Sequence, residues 1–294
     1  MKSQDTTENI EFKKKSRLNE TWYRFRKNKL AVVGLVIFTL IMLCTLLVGF
    51  FIPYEASLQT NYENRLQAPS SEHLFGTDNF GRDTLARILH ASRYSLLMGI
   101  GAVAIGITVG GLLGSLAGFY GGRIDTIIMR TTDTILCIPF MLLVLTIVVA
   151  LGPSLVNVLI ALMIAMVPSY TRVIRSTVLT VIGQDYIEAA RACGTPDRFI
   201  ILKHVLPNAI GPIIVQATMT VGLMIIWAAS TSFLGMGIQP PTPEWGAMLS
   251  EGKDYMLRAP HLALFPGLAI GITAFSLNLM GDGLRDALDP RLKD

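Results

Sequence analysis

Apolar residues gather into six runs separated by polar stretches, at positions 30–52 and near 95–119, 134–152, 154–170, 209–230 and 261–280. The first, LAVVGLVIFTLIMLCTLLVGFFI, carries no charged residue. At about 1.5 Å of rise per residue such a run crosses about 30 Å of hydrocarbon as a helix. The pattern therefore predicts an all-α integral membrane protein with six transmembrane helices and both termini on one side.

The polar stretch Gln184 to Asn208 carries its own helix signals. Gly194 is placed to end one short helix in a left-handed turn. Thr195 can cap the next, Pro196 suits its first position, and Asp197 complements its positive dipole end. Pro207 disfavours helical geometry at Leu206, so the second helix is expected to stop there.

In the segment from Pro53 to Arg93, Asp78 and Thr84 offer caps to an amphipathic helix with Leu85, Ile88, Leu89 and Ser92 on one face. Asp78, Arg82 and Asp83 either meet an external protein or tie this loop together. Ala102, Gly106, Gly110, Gly114, Gly118 and Gly122 recur at every fourth position of the second run, a ridge on which another helix can pack closely. A short turn, GGRIDTIIMRTTD, leads to the third run, with Arg123, Asp125, Arg130 and Asp133 as a charged collar. Pro139, Pro168, Pro212 and Pro266 mark bends in or beside the later runs. After the fifth run, a proline-rich loop leads to a short helix from Glu244, with Trp245 suited to a membrane interface.

Composition agrees: 51% of residues are hydrophobic and 16% charged, with a mean hydropathy of +0.51. Charge decides orientation. With the N-terminus inside, inner segments hold 19 and outer loops 6 of the 25 Lys and Arg. Eight of them, from Lys13 to Lys29, crowd before the first run, where they meet anionic lipid and need no nucleic acid as partner. Residues 1 to about 16 are expected to be disordered. Trp22, Tyr23 and Phe25 among the basic residues suit a short interfacial helix. A cleaved signal peptide is the alternative. The run is longer than a typical h-region and lacks a small-x-small cleavage site, so it reads as an uncleaved anchor.

Cys44, Cys137 and Cys193 show neither disulfide nor metal spacing, and His73, His90, His204 and His261 are scattered. The chain contains no phosphate-binding G-x4-GK[ST] loop and no catalytic constellation, so no catalytic or metal residue is assigned. No apolar run carries a charge, which argues against a proton-driven carrier. Asn157, Gln216, Thr220, Thr273, Ser276 and Asn278 are the polar residues within the runs. They are candidates for a translocation path, or for hydrogen bonds between helices.

Glu188-Ala189-Ala190, three residues, Gly194, and Leu206-Pro207 after a spacer resemble the EAA loop, EAA-x3-G-x9-I-x-LP, of the membrane subunits of bacterial ATP-binding cassette (ABC) importers. His204 stands where the general pattern has isoleucine, and HVLPN is similar to the oligopeptide and dipeptide branch. WYRFRKNKLAVVGL, LFGTDNFGRD, FLGMGIQPPTPEWGAML and the ending GDGLRDALDPRLKD resemble the peptide and nickel permeases, so the resemblance runs from about Trp22 to the end.

That resemblance implies a type I ABC importer (MetI-like) permease fold in a bacterial cell membrane. Its divisions are a cytoplasmic tail (1–29), first span (30–52), external loop (53–91), five-helix core (92–283) with a cytoplasmic coupling loop (184–208), and C-terminal tail (284–294). The loop would dock on a separate ATPase: Glu188, Arg191 and Asp197 supply polar groups, Ala189 and Ala190 a small close-fitting face, Gly194 the turn, and Leu206-Pro207 the end. Implied partners are a second, homologous permease in a heterodimer, two ATP-binding subunits that carry the ATP and magnesium, and an external solute-binding protein. This chain itself would bind no cofactor. The expected solutes are di- and oligopeptides. The alternatives are a nickel, metal-chelate or glutathione importer of the same family, a membrane scaffold that binds an ATPase without transport, and an integral membrane enzyme.

Overall fold

The computed structural model describes residues 17–288. The segment 1–16, expected to be disordered, and the last six residues lie outside the described residues. Among the described residues the regular structure is all helical, apart from one isolated bridge between Thr77 and Asp83. The helices are α1 (Arg17–Lys27), α2 (Lys29–Phe51), α3 (Thr84–Tyr120), α4 (Gly122–Leu136), α5 (Phe140–Leu151), α6 (Leu155–Ile182), α7 (Asp185–Ala192), α8 (Asp197–Ile200), α9 (Leu206–Phe233), α10 (Trp245–Lys253) and α11 (His261–Leu288).

Five helices are long and apolar enough to cross a membrane: α2, α3, α6, the continuous run Asp197–Phe233, and α11. They outrun the apolar stretches because their polar turns remain helical beyond the hydrocarbon. The sixth span differs from expectation. The segment read as a short inside turn is the 15-residue helix α4, and α5 has only 12 residues, the two meeting at an 88° bend. Pro139 sits at the break, where its missing N–H and fixed φ prevent one helix from running through. The charged collar resolves into pairs with α6. The Arg175 Nε and Nη2 donate to Asp125 at 2.5 and 2.6 Å, and Arg172 Nη2 donates to Asp133 at 2.8 Å.

The glycine ridge of α3 packs on α6 of the same chain. A Cβ on Gly110 would sit 2.9 Å from the Val167 carbonyl oxygen, one on Gly114 2.5 Å from that of Thr171, and one on Gly118 2.8 Å from the Val178 side chain. Gly122 leaves the ridge; it has φ +54 and nothing within 4 Å. Small residues also set the other close seams. Gly222 of α9 meets Ala274 of α11, Gly281 meets Met219, and Gly34 of α2 meets the Ser276 backbone.

Outside the expected spans, α10 is bolted to the N-terminal turns of α3. Glu244 caps α10, accepting from the Gly246 and Ala247 amides at 2.9 and 2.8 Å and from Ser95 Oγ at 3.0 Å. Burial pushes the Glu244 carboxyl above its ordinary range, and these hydrogen bonds offset only part of that rise. Trp245 is 2% exposed and donates through Nε1 to the Ile88 carbonyl at 3.0 Å, so it is a core residue and not a membrane-interface one. The cap of α3 is Asp83, which accepts from the Ala86 amide; Thr84 is its buried first residue.

Asp78, offered as a cap by the sequence, is buried and accepts from Arg82 Nε at 2.6 Å and Arg87 Nη1 at 2.5 Å. Both guanidiniums also reach Glu251 of α10, at 3.0 and 2.8 Å. Asp78 and Arg82 thus tie the loop to α10. Asp78→Ala would leave two buried cations sharing one carboxylate. We expect it to destabilise the solubilised protein by about 3 kcal/mol in a thermal unfolding assay, with Arg82→Met restoring part of the loss.

Candidate functional site

The stretch Gln184 to Asn208 folds as a hairpin of α7 and α8. Asp185 and Glu188 lie in the first turn of α7, where its dipole favours negative charge. The helix closes in a Schellman turn. Gly194, at φ +74, donates to the Arg191 carbonyl at 2.9 Å, and Thr195 donates to that of Ala190 at 3.1 Å. The Thr195 amide completes this turn, and Thr195 lies one residue before the cap of α8. Pro196 occupies the cap position, with no side-chain capping bond, and Asp197 is the first helical residue.

The second helix does not stop at Pro207. Leu206 is helical (φ −58, ψ −44), and its amide reaches back five residues to the Ile201 carbonyl, closing a π turn over Ile201–Val205. The wider turn lets the chain absorb a proline that cannot donate, so α8 continues into α9 as the base of the 37-residue helix Asp197–Phe233. Leu206 is half-buried and Pro207 exposed. The hairpin and α9 are thus joined by unbroken helix.

Ile187, Ile200 and Val205 anchor the hairpin, each 0% exposed. Outward it presents Glu188, Ala189, Arg198 and Lys203, together with Tyr186, Phe199 and Leu202, the last 62% exposed. Arg198 and Lys203 both lie over the Phe199 ring, at 5.1 and 5.2 Å from its centre. The small pair divides: Ala189 faces out, while Ala190 packs against the core. Arg191 and Asp197 are exposed as well, and Arg191 lays its guanidinium over the Phe119 ring at the end of α3, 5.0 Å from its centre. The sequence reading overlooked Tyr186, Phe199 and Leu202. Apolar residues at helical spacing within a polar loop are the signal that could have found the last two.

The six polar candidates do not converge. Asn157 Nδ2 donates to the Leu151 and Gly152 carbonyls, both at 2.9 Å, closing the turn after α5. Thr273 and Ser276 are 0% exposed and return their hydroxyls to their own helix, to Ala269 and Thr273. Thr220 is buried, donating to the Gln216 carbonyl at 2.7 Å and accepting from Gln216 Nε2 at 3.3 Å. Only Gln216 and Asn278 are exposed. Each lies within one helical turn of the Met219–Gly281 contact, so they flank the seam of α9 and α11.

Residues 110–294 match the family described as binding-protein-dependent transport system inner membrane component, and residues 16–69 match the N-terminal transmembrane domain of oligopeptide transport permease C. The chain is 47% identical over 277 residues to the dipeptide transport system permease protein DppC of Alkalihalophilus pseudofirmus, covering 93% of this chain and 90% of the relative. It is 44% identical to the di/tripeptide transport system permease protein DppC of Pseudomonas aeruginosa, covering 95% and 94%. It is 43% identical to the glutathione transport system permease protein GsiD of Pectobacterium atrosepticum, covering 93% and 91%. A solved chain of the inward-facing MetNI methionine ABC transporter superposes with a TM-score of 0.57 at 19% identity, over 70% of this chain and 98% of that one, a likeness of fold. With an all-helical multi-pass architecture and matches along nearly its whole length, the chain belongs to the binding-protein-dependent transport inner membrane component family, as a permease subunit of an ABC importer.

Proposed function

We propose that this permease forms half of an import path for short peptides and is driven through the α7–α8 hairpin by separate ATPase subunits. The observation that carries the coupling role is the hairpin itself, which is anchored by buried Ile187 and Ile200, exposes an apolar and charged face, and continues into α9. The excess of Lys and Arg on the hairpin's side supports a cytoplasmic hairpin and cytoplasmic termini. Relatives named for dipeptide, di/tripeptide and glutathione transport support a short-peptide solute. ATP and magnesium belong to the partner subunits, and an external binding protein delivers the solute.

The exposed amides support a second permease. An exposed amide finds no further partner in lipid and is costly there, so Gln216, whose amide gives one bond to Thr220, and Asn278 belong against protein or a water-filled path. A homologous subunit across this face encloses such a path, which one six-helix chain is too small to do.

The experiment is uptake of a labelled dipeptide by vesicles holding the complete complex, with ATP supplied on the hairpin's side. Accumulation above the external concentration is expected. ATP turnover without accumulation would replace this reading with the membrane scaffold. In the same assay Gln216→Leu with Asn278→Leu should slow uptake about tenfold without loss of the assembled complex; unchanged uptake removes the two amides from the path.

A further inference from the structure

We propose that the outward face of α1 is a binding site for the headgroup of an anionic phospholipid. The inference rests on the proposed orientation, which puts α1 at the cytoplasmic leaflet, where anionic lipids concentrate. It goes beyond a basic tail near a membrane because it names a formed groove. Trp22 and Arg26, and Tyr23 and Lys27, stand one turn apart on α1 and line an open groove of about 270 Å³. Trp22 and Tyr23 are 52% and 63% exposed, and both cations are exposed as well.

The groove is held in place from behind. Trp22 stacks on Phe25, with ring centres 5.8 Å apart and planes within 9°. Phe25 is itself buried against Ala31 and Ala287, which docks α1 on the end of α11. Lys27 Nζ lies 4.7 Å from the centre of the Tyr23 ring. Trp22 is thus backed by a buried ring, while Tyr23 is held only by its contact with Lys27.

Charge selects the occupant. Glu20, the one acid in the sequence of α1, is engaged by Arg24 at 2.7 Å, so Arg26 and Lys27 face the groove as a doubly positive pair. A guanidinium forks two phosphate oxygens and an ammonium adds a point charge beside it. Indole and phenol rings rest at headgroup depth. Position selects a lipid over a free anion. Only Asn28 separates α1 from α2, whose Leu30, Val33 and Val36 are exposed and apolar, so a surface for acyl chains begins within three residues of Lys27.

The test uses the complete complex in vesicles of phosphatidylcholine containing brominated phosphatidylglycerol or, at equal mole fraction, brominated phosphatidylcholine. Trp22 emission, assigned as the part lost in Trp22→Phe, should be quenched more by the anionic lipid. Arg26→Gln with Lys27→Gln should lower the relative association constant about thirtyfold, which corresponds to about 1 kcal/mol per charge. Both positions are exposed, so the variant should fold. Equal quenching by the two lipids, or a preference that survives the double substitution, would overturn the site. Dipeptide uptake measured in the same vesicles separates the two readings: uptake without lipid preference removes only the lipid site, and lipid preference without uptake removes only the transport reading.

Discussion

Gly194→Val should abolish solute-stimulated ATP turnover while leaving the permease folded and associated with its partners. Gly194 holds φ +74, where an L-residue costs about 1–2 kcal/mol and a β-branched one more. A Cβ there would meet nothing within 4 Å, so the effect is conformational and not a clash. Valine drives the chain out of the left-handed region. That breaks the bonds from Gly194 and Thr195 to Arg191 and Ala190 and changes the angle between α7 and α8. Because Ile187 and Ile200 anchor the two arms separately, the spans can stay packed while the docking face loses its shape. This cause sets a ranking. Asparagine, which tolerates the left-handed region, should retain most coupling; alanine should lose part and valine nearly all. The measurement is ATP turnover with and without solute in vesicles, beside co-purification of the ATPase subunits. Full coupling in the valine variant would mean that the hairpin angle is irrelevant to the drive. Phe119→Leu tests the internal side of the same device. If the Arg191–Phe119 contact transmits motion to α3, this buried substitution should lower coupling severalfold without touching the docking face.

Gly114→Val should remove most folded protein from the membrane. Its Cβ would lie 2.5 Å from the Thr171 carbonyl oxygen and 3.0 Å from the Arg175 amide, both backbone atoms of α6 that no rotamer change can move. Close approach of two helices is what binds them in lipid, since hydrophobic burial offers little there. Overpacking of a well-packed core costs about 1–3 kcal/mol, and a clash with two backbone atoms of α6 belongs at the upper end or beyond. Gly111 is the control. Its Cβ would meet only Ile174 Cδ1 at 3.5 Å, so Gly111→Ala should leave the melting temperature of the solubilised protein nearly unchanged. Equal behaviour of the two variants would show that the α3–α6 seam is not the tight one.

Much of the site was legible before any coordinates. Gly194 announced its left-handed turn because few other residues adopt that geometry. The fourfold spacing from Gly106 to Gly118 announced a close seam because nothing else removes side chains so regularly. The partners of these features were not legible. The seam could have met another subunit, and the fold sets it against α6; nor did the sequence place the exposed Arg191 over the Phe119 ring. Asp78 looked like a cap because it precedes a helix, yet Arg82 and Arg87, 4 and 9 residues along the chain, converge on it and both also reach Glu251, 169 and 164 residues beyond them. Pro207 looked like a stop because the rule for the residue before proline is local, and a π turn beginning six residues earlier evades it.

Composition and local pattern by themselves determined that this is a multi-pass helical membrane protein with a helical hairpin at Gly194, because hydrocarbon thickness and left-handed backbone geometry act on a few neighbouring residues at a time. Only the tertiary structure decided which helix fills the glycine ridge, which carboxylate receives each arginine, and that Trp245 is core and not interface. Those outcomes depend on groups far apart in the chain arriving at the same point. Desolvation then rewards the arrangement in which every buried charge and amide finds a partner.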